Sequence, residues 1–410
     1  MVRRIGRVTS AAGSDSEKMN RMKTMLHGIA RWLALGLVTL SLAAAGEKSE
    51  KPEGASGQDD LFAQPKVWRL KIELPPAAQE ALRKDPKTYV KATLREGTVT
   101  LADVGVRLKG NGSFQGLDQK PSLAIKFHEF TPGQKFHGVS KVLLNNSRQD
   151  PTCLCEALGG EVFRAAGVPA ARVTFARVEL NGRDAGLYTL VEAANRDFLS
   201  QHFKKSKGNL YEGSNNDVTD KLDKDSGDAA TEQTDLKALA TATKEPDPAQ
   251  RWRKLAALLD VERFISFAAA EVITWHHDGY TMDRNNYRIY HDPASDQMVF
   301  LPHGLDQLFG KADGPLIPDW KGLVAKSVLS TPTGQARYLE KMSSLLNTVF
   351  KADALQARVN ELSAMIRPSL AETSSGQTKA FDDAVTKLRE HIARRATFIG
   401  QQLKALPPAK

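Results

Sequence analysis

Apolar and polar residues alternate through the first half of the chain with the period of two that a half-buried strand requires. The alternation runs through Val67-Trp68-Arg69-Leu70-Lys71-Ile72, returns in Val104-Gly105-Val106-Arg107-Leu108-Lys109, and recurs over 122–127 and 139–144. Two more strands, Val173 to Leu180 and Gly186 to Val191, flank Asn181-Gly182, a pair suited to a tight hairpin because both residues tolerate positive φ. Between these runs, Pro151 to Ala166 places Leu154, Leu158, Val162 and Phe163 on one helical face, and Gly167 stops the helix. The first half is therefore predicted as antiparallel strands with one helix among them. After Pro248 the spacing becomes that of amphipathic helices, over 251–259, over 261–273 with Asp260 as its cap, and then over 336–350, 353–366 and 381–406.

One stretch of the helical half reads as a hairpin. Tyr287 to Tyr290 and Met298 to Leu301 are strands, and His291 to Gln297 is the turn between them. An acidic turn lies at each outer end: HHDGYTMDRNN, with Asp278, Asp283, Asn285 and Asn286, and GLDQLFG, with Asp306. Closing the hairpin brings Asn286 towards Asp306. Two oxygen ligands beside a further carboxylate suit a hard cation such as Mg²⁺, which keeps several waters and is completed by substrate phosphates. Phosphoryl transfer is the chemistry that most needs such an arrangement.

Composition narrows the setting. The chain has 410 residues, 41% hydrophobic and 26% charged, enough for two lobes with cores of their own. Near the start, Met25 to Arg31, the apolar run Trp32 to Leu42 and Ala43-Ala44-Ala45 before Gly46 have the form of a secretory signal peptide. The apolar run is short for a membrane span. Residues 1–45 hold seven Lys or Arg and two acids, so without them the formal charge falls from +9 to +4. That mild basicity argues against nucleic acid as the main partner. Cys153 and Cys155, the two cysteines, stand too close together to pair and read as buried free thiols. The expected organisation is a signal peptide over 1–45, a flexible linker over 46–66, a β-rich lobe over 67–212, an acidic loop or joint over 213–250 and a helical lobe over 251–406.

Candidate nucleotide contacts lie in the β-rich part. Gly110, Gly112 and Ser113 belong to a GxGxxxG turn between two strands, one residue longer than a kinase glycine loop and equally consistent with a plain turn. Lys120, Lys126 and Lys141 lie on or beside the next strands, and Glu156 on the helix is placed to orient such a lysine. Taken singly, each also fits a solvated charge. In the second half Asp278, Asn286 and Asp306 follow the kinase order Asp, Asn, Asp, but Asn follows Asp by eight positions where classical kinases use five. Asp283 is an alternative to Asp278 as acid-base residue. His276, His277 and His303 lack metal-site spacing and read as structural.

The motifs LKGNGSF, KPSLAIKF, LLNNSRQDPTCLCEALGGEVFRAAGVPAARV, VELNGRDAGLYTLVE, GNLY, HHDGYTMDRNNYRIY and FLPHGLDQLFG, in this order, resemble the CotH kinase family of atypical kinases from Val67 to about Leu406. The resemblance implies an α+β, two-lobed kinase-like fold, exported to the periplasm, the cell surface or the medium. It implies binding of ATP with Mg²⁺ or Mn²⁺ and phosphorylation of Ser or Thr in partner proteins, without nucleic acid and without a membrane span once the signal is cleaved. By position it makes Asp278 the catalytic acid-base residue and Asp306 the principal metal ligand, with Asn286 in support. Lys120 and Lys126 would face the phosphates, and Glu192 would sit near the adenine hinge. Two departures stand out. Cys155 replaces an Arg before the helix Glu, and Pro302-His303-Gly304-Leu305-Asp306 keeps one acid where relatives often have two. They leave open a catalytically weak or inactive cell-envelope binding or assembly protein as the alternative.

Overall fold

The computed structural model describes residues 60–227 and 232–406. The signal peptide expected over 1–45, most of the linker and residues 228–231 of the acidic segment lie outside the described residues.

The alternating half forms β1 (Val67–Glu73), α1 (Pro76–Lys84), β2 (Val90–Glu96), β3 (Val99–Lys109), β4 (Ser122–Lys126), β5 (Lys141–Asn145), α2 (Cys155–Ala165), β6 (Val173–Leu180) and β7 (Arg183–Glu192). The seven strands close into a barrel in the order β1-β2-β3-β4-β5-β7-β6. Six of the pairings are antiparallel; the seam is the parallel pair β1–β6, with Trp68 opposite Ala176 and Ile72 opposite Leu180. Strand alternation sends Leu70, Ile72, Val104, Val106, Leu108, Leu123, Ile125 and Leu144 inward, where all are buried in one cluster. The same alternation turns Arg107 and Lys109 outward. Leu61 and Phe62, at the end of the stretch expected to be linker, are buried in the barrel core, and Asp60 pairs with Arg172 at 2.5 Å.

Helix α2 starts at Cys155, four residues later than its apolar spacing suggests. The buried Asp150 carboxylate accepts the N–H groups of Thr152 and Cys155, each at 2.9 Å, and holds 150–154 in a turn. Cys153 there takes φ 57°. Both cysteines are free and buried.

The remaining elements are α3 (Arg196–His202), β8 (Leu210–Gly213), β9 (Asp223–Ser226), α4 (Thr234–Thr243), α5 (Pro248–Leu258), α6 (Val261–Ile273), α7 (Tyr280–Asp283), β10 (Tyr287–Asp292), β11 (Gln297–Pro302), α8 (Leu323–Leu329), α9 (Pro332–Thr348), α10 (Ala352–Ala371) and α11 (Ser375–Ala405). The hairpin β10–β11 belongs to a four-stranded sheet ordered β11-β10-β8-β9. The segment 213–250, expected to be a solvated loop or joint, thus supplies strand β9, helix α4 and the start of α5. Its polar composition hides them because β9, Asp-Lys-Asp-Ser, has no apolar face and is held by backbone pairing to β8.

Helix α6 is the centre of the helical part. It is apolar nearly all round, and Phe264 to Ile273 are buried without a break. Its C-terminal carbonyls meet Arg395 of α11, a guanidinium only 1% exposed. Arg395 donates to the carbonyls of Val272 (2.6 Å), Ile273 (3.3 Å), Ala312 (3.4 Å) and Gly314. A cation at a helix C-terminus is favoured by the helix dipole, and this one also donates to the carbonyls of four buried residues. Arg395→Met is expected to destabilise the fold by about 3 kcal/mol, because the buried acceptors lose their donor. Urea unfolding of both proteins measures the difference; an unchanged midpoint would show that the carbonyls find other partners.

Candidate active site

The two acidic turns are built on the end of α6. After Ile273 the chain turns through Trp275 at φ 52°. Glu271, wholly buried inside α6, accepts the N–H groups of Tyr280 (2.9 Å) and Thr281 (2.8 Å) and the Thr281 hydroxyl (2.5 Å). It thereby anchors α7 and fixes the loop that carries Asp278. A Cβ on Gly279 would lie 2.3 Å from Glu271 Oε1, so this close approach requires glycine. Arg284 and Asn286 then take left-handed backbone, φ 59° and 47°, before β10 begins. In the hairpin Tyr287 lies opposite Pro302, and the Asn286 carbonyl accepts the His303 N–H at 3.0 Å.

The second turn interlocks with the first. Gly304 has φ 57°, and a Cβ there would lie 2.6 Å from Asn286 Oδ1. His276, fully buried, places Nε2 3.2 Å from the Gly304 carbonyl and ties the Asp278 loop to the Asp306 turn. Helix α2 packs on this turn through Gly159, where a Cβ would fall 2.3 Å from Leu308 Cδ1. That contact brings Glu156 against Asp306.

Asp278, Asn286 and Asp306 line one cleft of about 420 Å³, within the size range of small-ligand sites. Each Asp278 oxygen accepts an amide: Oδ1 from Asn285 Nδ2 at 3.0 Å and Oδ2 from Asn286 Nδ2 at 2.7 Å. Burial lifts the Asp306 carboxyl above its usual pKa; the Lys109 charge opposes this and Asp278 adds to it. A divalent cation relieves such crowding of negative charge. Among the described residues no three His, Cys, Asp or Glu side chains are grouped for a metal, so the donors here are two carboxylates and one amide oxygen. That set fits Mg²⁺ or Mn²⁺ completed by water and phosphates, and does not fit a site that must bind the ion by protein ligands alone. Asp283 is exposed beside Asp278, does not line the cleft, and has its pKa raised by burial and by Asp278.

The opposite wall comes from the barrel. Lys109, the last residue of β3, donates to Asn145 Oδ1 at 2.5 Å, and Asn145 Nδ2 donates to Glu156 Oε1 at 3.0 Å. Asn145 thus bridges lysine and glutamate. Gly110, at φ 105°, Gly112 and Ser113 continue the wall, as does Lys141. Lys120 and Lys126 do not line the cleft. Lys120 sits over the Tyr188 ring, 5.1 Å from its centre, and Lys126 pairs with Glu129 at 2.5 Å. The Glu192 carboxylate is buried and engaged by Arg172 (2.7 Å) and Gln201 (2.9 Å); its neighbours Ala193 and Ala194 are the residues that face the cleft.

Sequence reasoning did not single out Lys109 as the cleft lysine, nor Asn145, Arg288, Glu212 or Asp225. Alternation with Val106 and Leu108 shows that Lys109 points away from the barrel core, but Lys126, alternating with Leu123 and Ile125, does the same, so pattern does not choose between them. Arg288, 8% exposed, sits between Glu212 (2.7 Å) and Asp225 (3.4 Å). It pulls the Glu212 pKa down to about 2. Burial pushes His303 down to about 3, so this histidine is neutral over the physiological range.

Burial, reinforced by Asp306 and opposed by Lys109, raises the Glu156 pKa from 4.5 to about 7. Between those values the folded protein keeps a proton that the unfolded chain releases. Stability should therefore fall as pH rises from 4.5 to about 7 and level off above it. Glu156→Gln is expected to flatten this part of the profile, as thermal melts from pH 4.5 to 8 would show. A variant profile parallel to wild type would remove Glu156 as its cause.

A family model for CotH kinase protein matches residues 106–399. Inner spore coat protein H of Bacillus subtilis (strain 168) is 21% identical over 313 residues, spanning 70% of this chain and 84% of that protein. Invasin CotH2 of Rhizopus delemar is 22% identical over 262 residues, 55% of this chain and 44% of the invasin. Among solved structures, the Helicobacter pylori proinflammatory kinase CtkA aligns at a TM-score of 0.34 with 8% identity, over 73% of this chain and 97% of its own, a likeness too slight to argue from.

Proposed function

The chain belongs to the CotH kinase family, and on that premise we propose that it transfers the γ-phosphate of ATP to Ser or Thr of partner proteins outside the cytoplasm. The observation that carries this reading is the convergence of Asp278, Asn286 and Asp306 across one cleft from Lys109, Asn145 and Glu156. Catalysis of phosphoryl transfer is mainly positioning and neutralisation of charge. Lys109, oriented by the Asn145 bridge to Glu156, would hold ATP phosphates. Asp306 and the Asn286 amide oxygen would hold Mg²⁺ or Mn²⁺, whose chemistry when bound is to neutralise charge on the phosphate oxygens. Asp278, fixed by the two asparagine amides, would orient the acceptor hydroxyl. As the hydroxyl oxygen bonds to the γ-phosphorus and the bond to the β-phosphate oxygen breaks, its proton passes to Asp278 and ADP leaves.

A place outside the cytoplasm rests on the signal-like N-terminus and on relatives named as a spore coat protein and an invasin. Among the described residues no helix is long and apolar enough to cross a membrane. A second reading, a cell-envelope binding or assembly protein without catalysis, is favoured by one feature: the turn 302–306 retains a single acid, Asp306.

Two measurements separate them. Labelled phosphate from ATP should appear on a generic acceptor or on the protein itself, and ATP with Mg²⁺ or Mn²⁺ should raise the melting temperature, since a ligand that binds only the folded state stabilises it. A melting shift without labelling would favour the binding-protein reading. Absence of both at millimolar nucleotide would reject the kinase reading.

A further inference from the structure

The barrel wall continues past the cleft. A second hollow, of about 620 Å³, adjoins the first and shares Lys87, Arg107, Lys141 and Asp225 with it. Strand register explains the continuity. Lys109 faces Ser122, Arg107 faces Ala124 and Gly105 faces Lys126, which in turn faces Lys141. Successive rows on one outer face of the sheet therefore carry cations from the first hollow into the second. Gly105 leaves room there for the Glu129 side chain, which a Cβ would approach to 2.6 Å and whose carboxylate pairs with Lys126, and for the Tyr89 ring at 3.2 Å. Arg107 and Lys126 lie 5.3 and 5.8 Å from the centre of that ring.

Charge in the second hollow is unbalanced. Six Lys or Arg side chains line it against two acids, Asp197 and Asp225. Asp197 is already engaged by the Ser140 N–H (2.8 Å), the Ser140 hydroxyl and Lys135 (3.2 Å). Asp225 lies 3.4 Å from Arg288. The Arg107 Nε is buried and has no hydrogen-bond partner, and the same is true of the Tyr89 hydroxyl. A buried donor without an acceptor costs free energy that an anionic ligand would recover. A hollow bounded by strands and by the residues at the start of α3 suits a peptide segment better than a duplex, which needs a longer basic stripe.

We propose that this second hollow is a docking site for an anionic segment of the acceptor protein, carrying carboxylates or phosphates, that binds beside the nucleotide. The proposal deepens the kinase reading and rests on it for the identity of the partner. The kinase would accordingly prefer Ser or Thr that lie near acidic or already phosphorylated residues.

The test is fluorescence anisotropy with short labelled peptides on the full chain, in the presence of a saturating non-hydrolysable ATP analogue with Mg²⁺. Three peptides of equal length are compared: Glu-rich, phosphoserine-bearing and Gln-rich. At least one anionic peptide should bind about tenfold or more tightly than the neutral control, and the stronger of the two identifies the anion. The double variant Lys126→Glu/Arg196→Glu should bind all three alike, and Lys126→Gln/Arg196→Gln should fall between; neither residue lines the nucleotide cleft. The melting shift caused by nucleotide should be the same in wild type and variants. Equal binding of anionic and neutral peptides, undiminished binding by the charge-reversed variant, or tighter binding of a single-stranded nucleic acid of equal charge would overturn the proposal. Anionic binding that survives in a protein showing no nucleotide shift would support the docking site while removing the kinase reading.

Discussion

Asp306→Asn is expected to lower phosphate transfer by about a thousandfold, the scale associated with removing one pre-positioned charged group from a transition state. The substitution keeps the shape of the turn between β11 and the following chain, so the effect is electrostatic. In the folded protein burial and, less strongly, Asp278 both disfavour the charged form of Asp306. A neutral amide relieves both, and the melting temperature of the ligand-free variant should equal or exceed that of wild type. The gain in melting temperature from ATP with Mg²⁺ should disappear, because the ion loses its principal carboxylate. Loss of activity together with a lowered melting temperature would instead assign Asp306 a structural role. Retained activity would show that the ion binds elsewhere.

The second large effect concerns the lysine. Lys109→Met should reduce transfer by about a hundredfold or more, whereas Lys120→Met should leave it within a small factor of wild type. The reason is geometric. Lys109 reaches the cleft and, through Asn145, the carboxylate of Glu156, while Lys120 rests on Tyr188. Burial already pushes the pKa of Lys109 down, so an ATP phosphate would supply the negative charge that its ammonium lacks. Nucleotide melting shifts on both variants give a readout independent of any acceptor. A normal shift in Lys109→Met and a lost one in Lys120→Met would reverse the assignment.

These two residues mark how much of the site could be read in advance. Asp306 was accessible because it lies only four residues beyond a hairpin strand. Strands β10 and β11 are joined by a short turn, and their pairing puts Tyr287 opposite Pro302 at the far end, so it sets the distance between the acidic turns with little freedom left. Asp278 is only eight positions from Asn286, and a local chain of that length keeps the two together. The choice of lysine had no such local constraint. Lys109, Lys120, Lys126 and Lys141 all lie on or beside barrel strands, and spacing does not rank them. Glu192 is a similar case: its place at the end of β7 was legible, but Arg172, twenty positions earlier, takes up its carboxylate.

The helical part divides in the same way. Helices α9 to α11 were legible from their apolar stripes. Strand β9 and helix α4, within the acidic segment, were not, because β9 is stabilised by its ladder to β8 and not by a hydrophobic face.

By itself the sequence determined the elements with strong periodicity and the pairing of two acidic turns across one hairpin, since these depend on neighbours a few residues apart. Only the tertiary structure decided which cation faces those turns, which carboxylates are already engaged, and where the cleft continues. The physical reason is that those contacts follow from closure of the barrel through the parallel β1–β6 seam and from packing of α2 on the Asp306 turn. Both join surfaces brought together by burial of apolar area, which is non-directional and leaves no local signature in the residues it aligns.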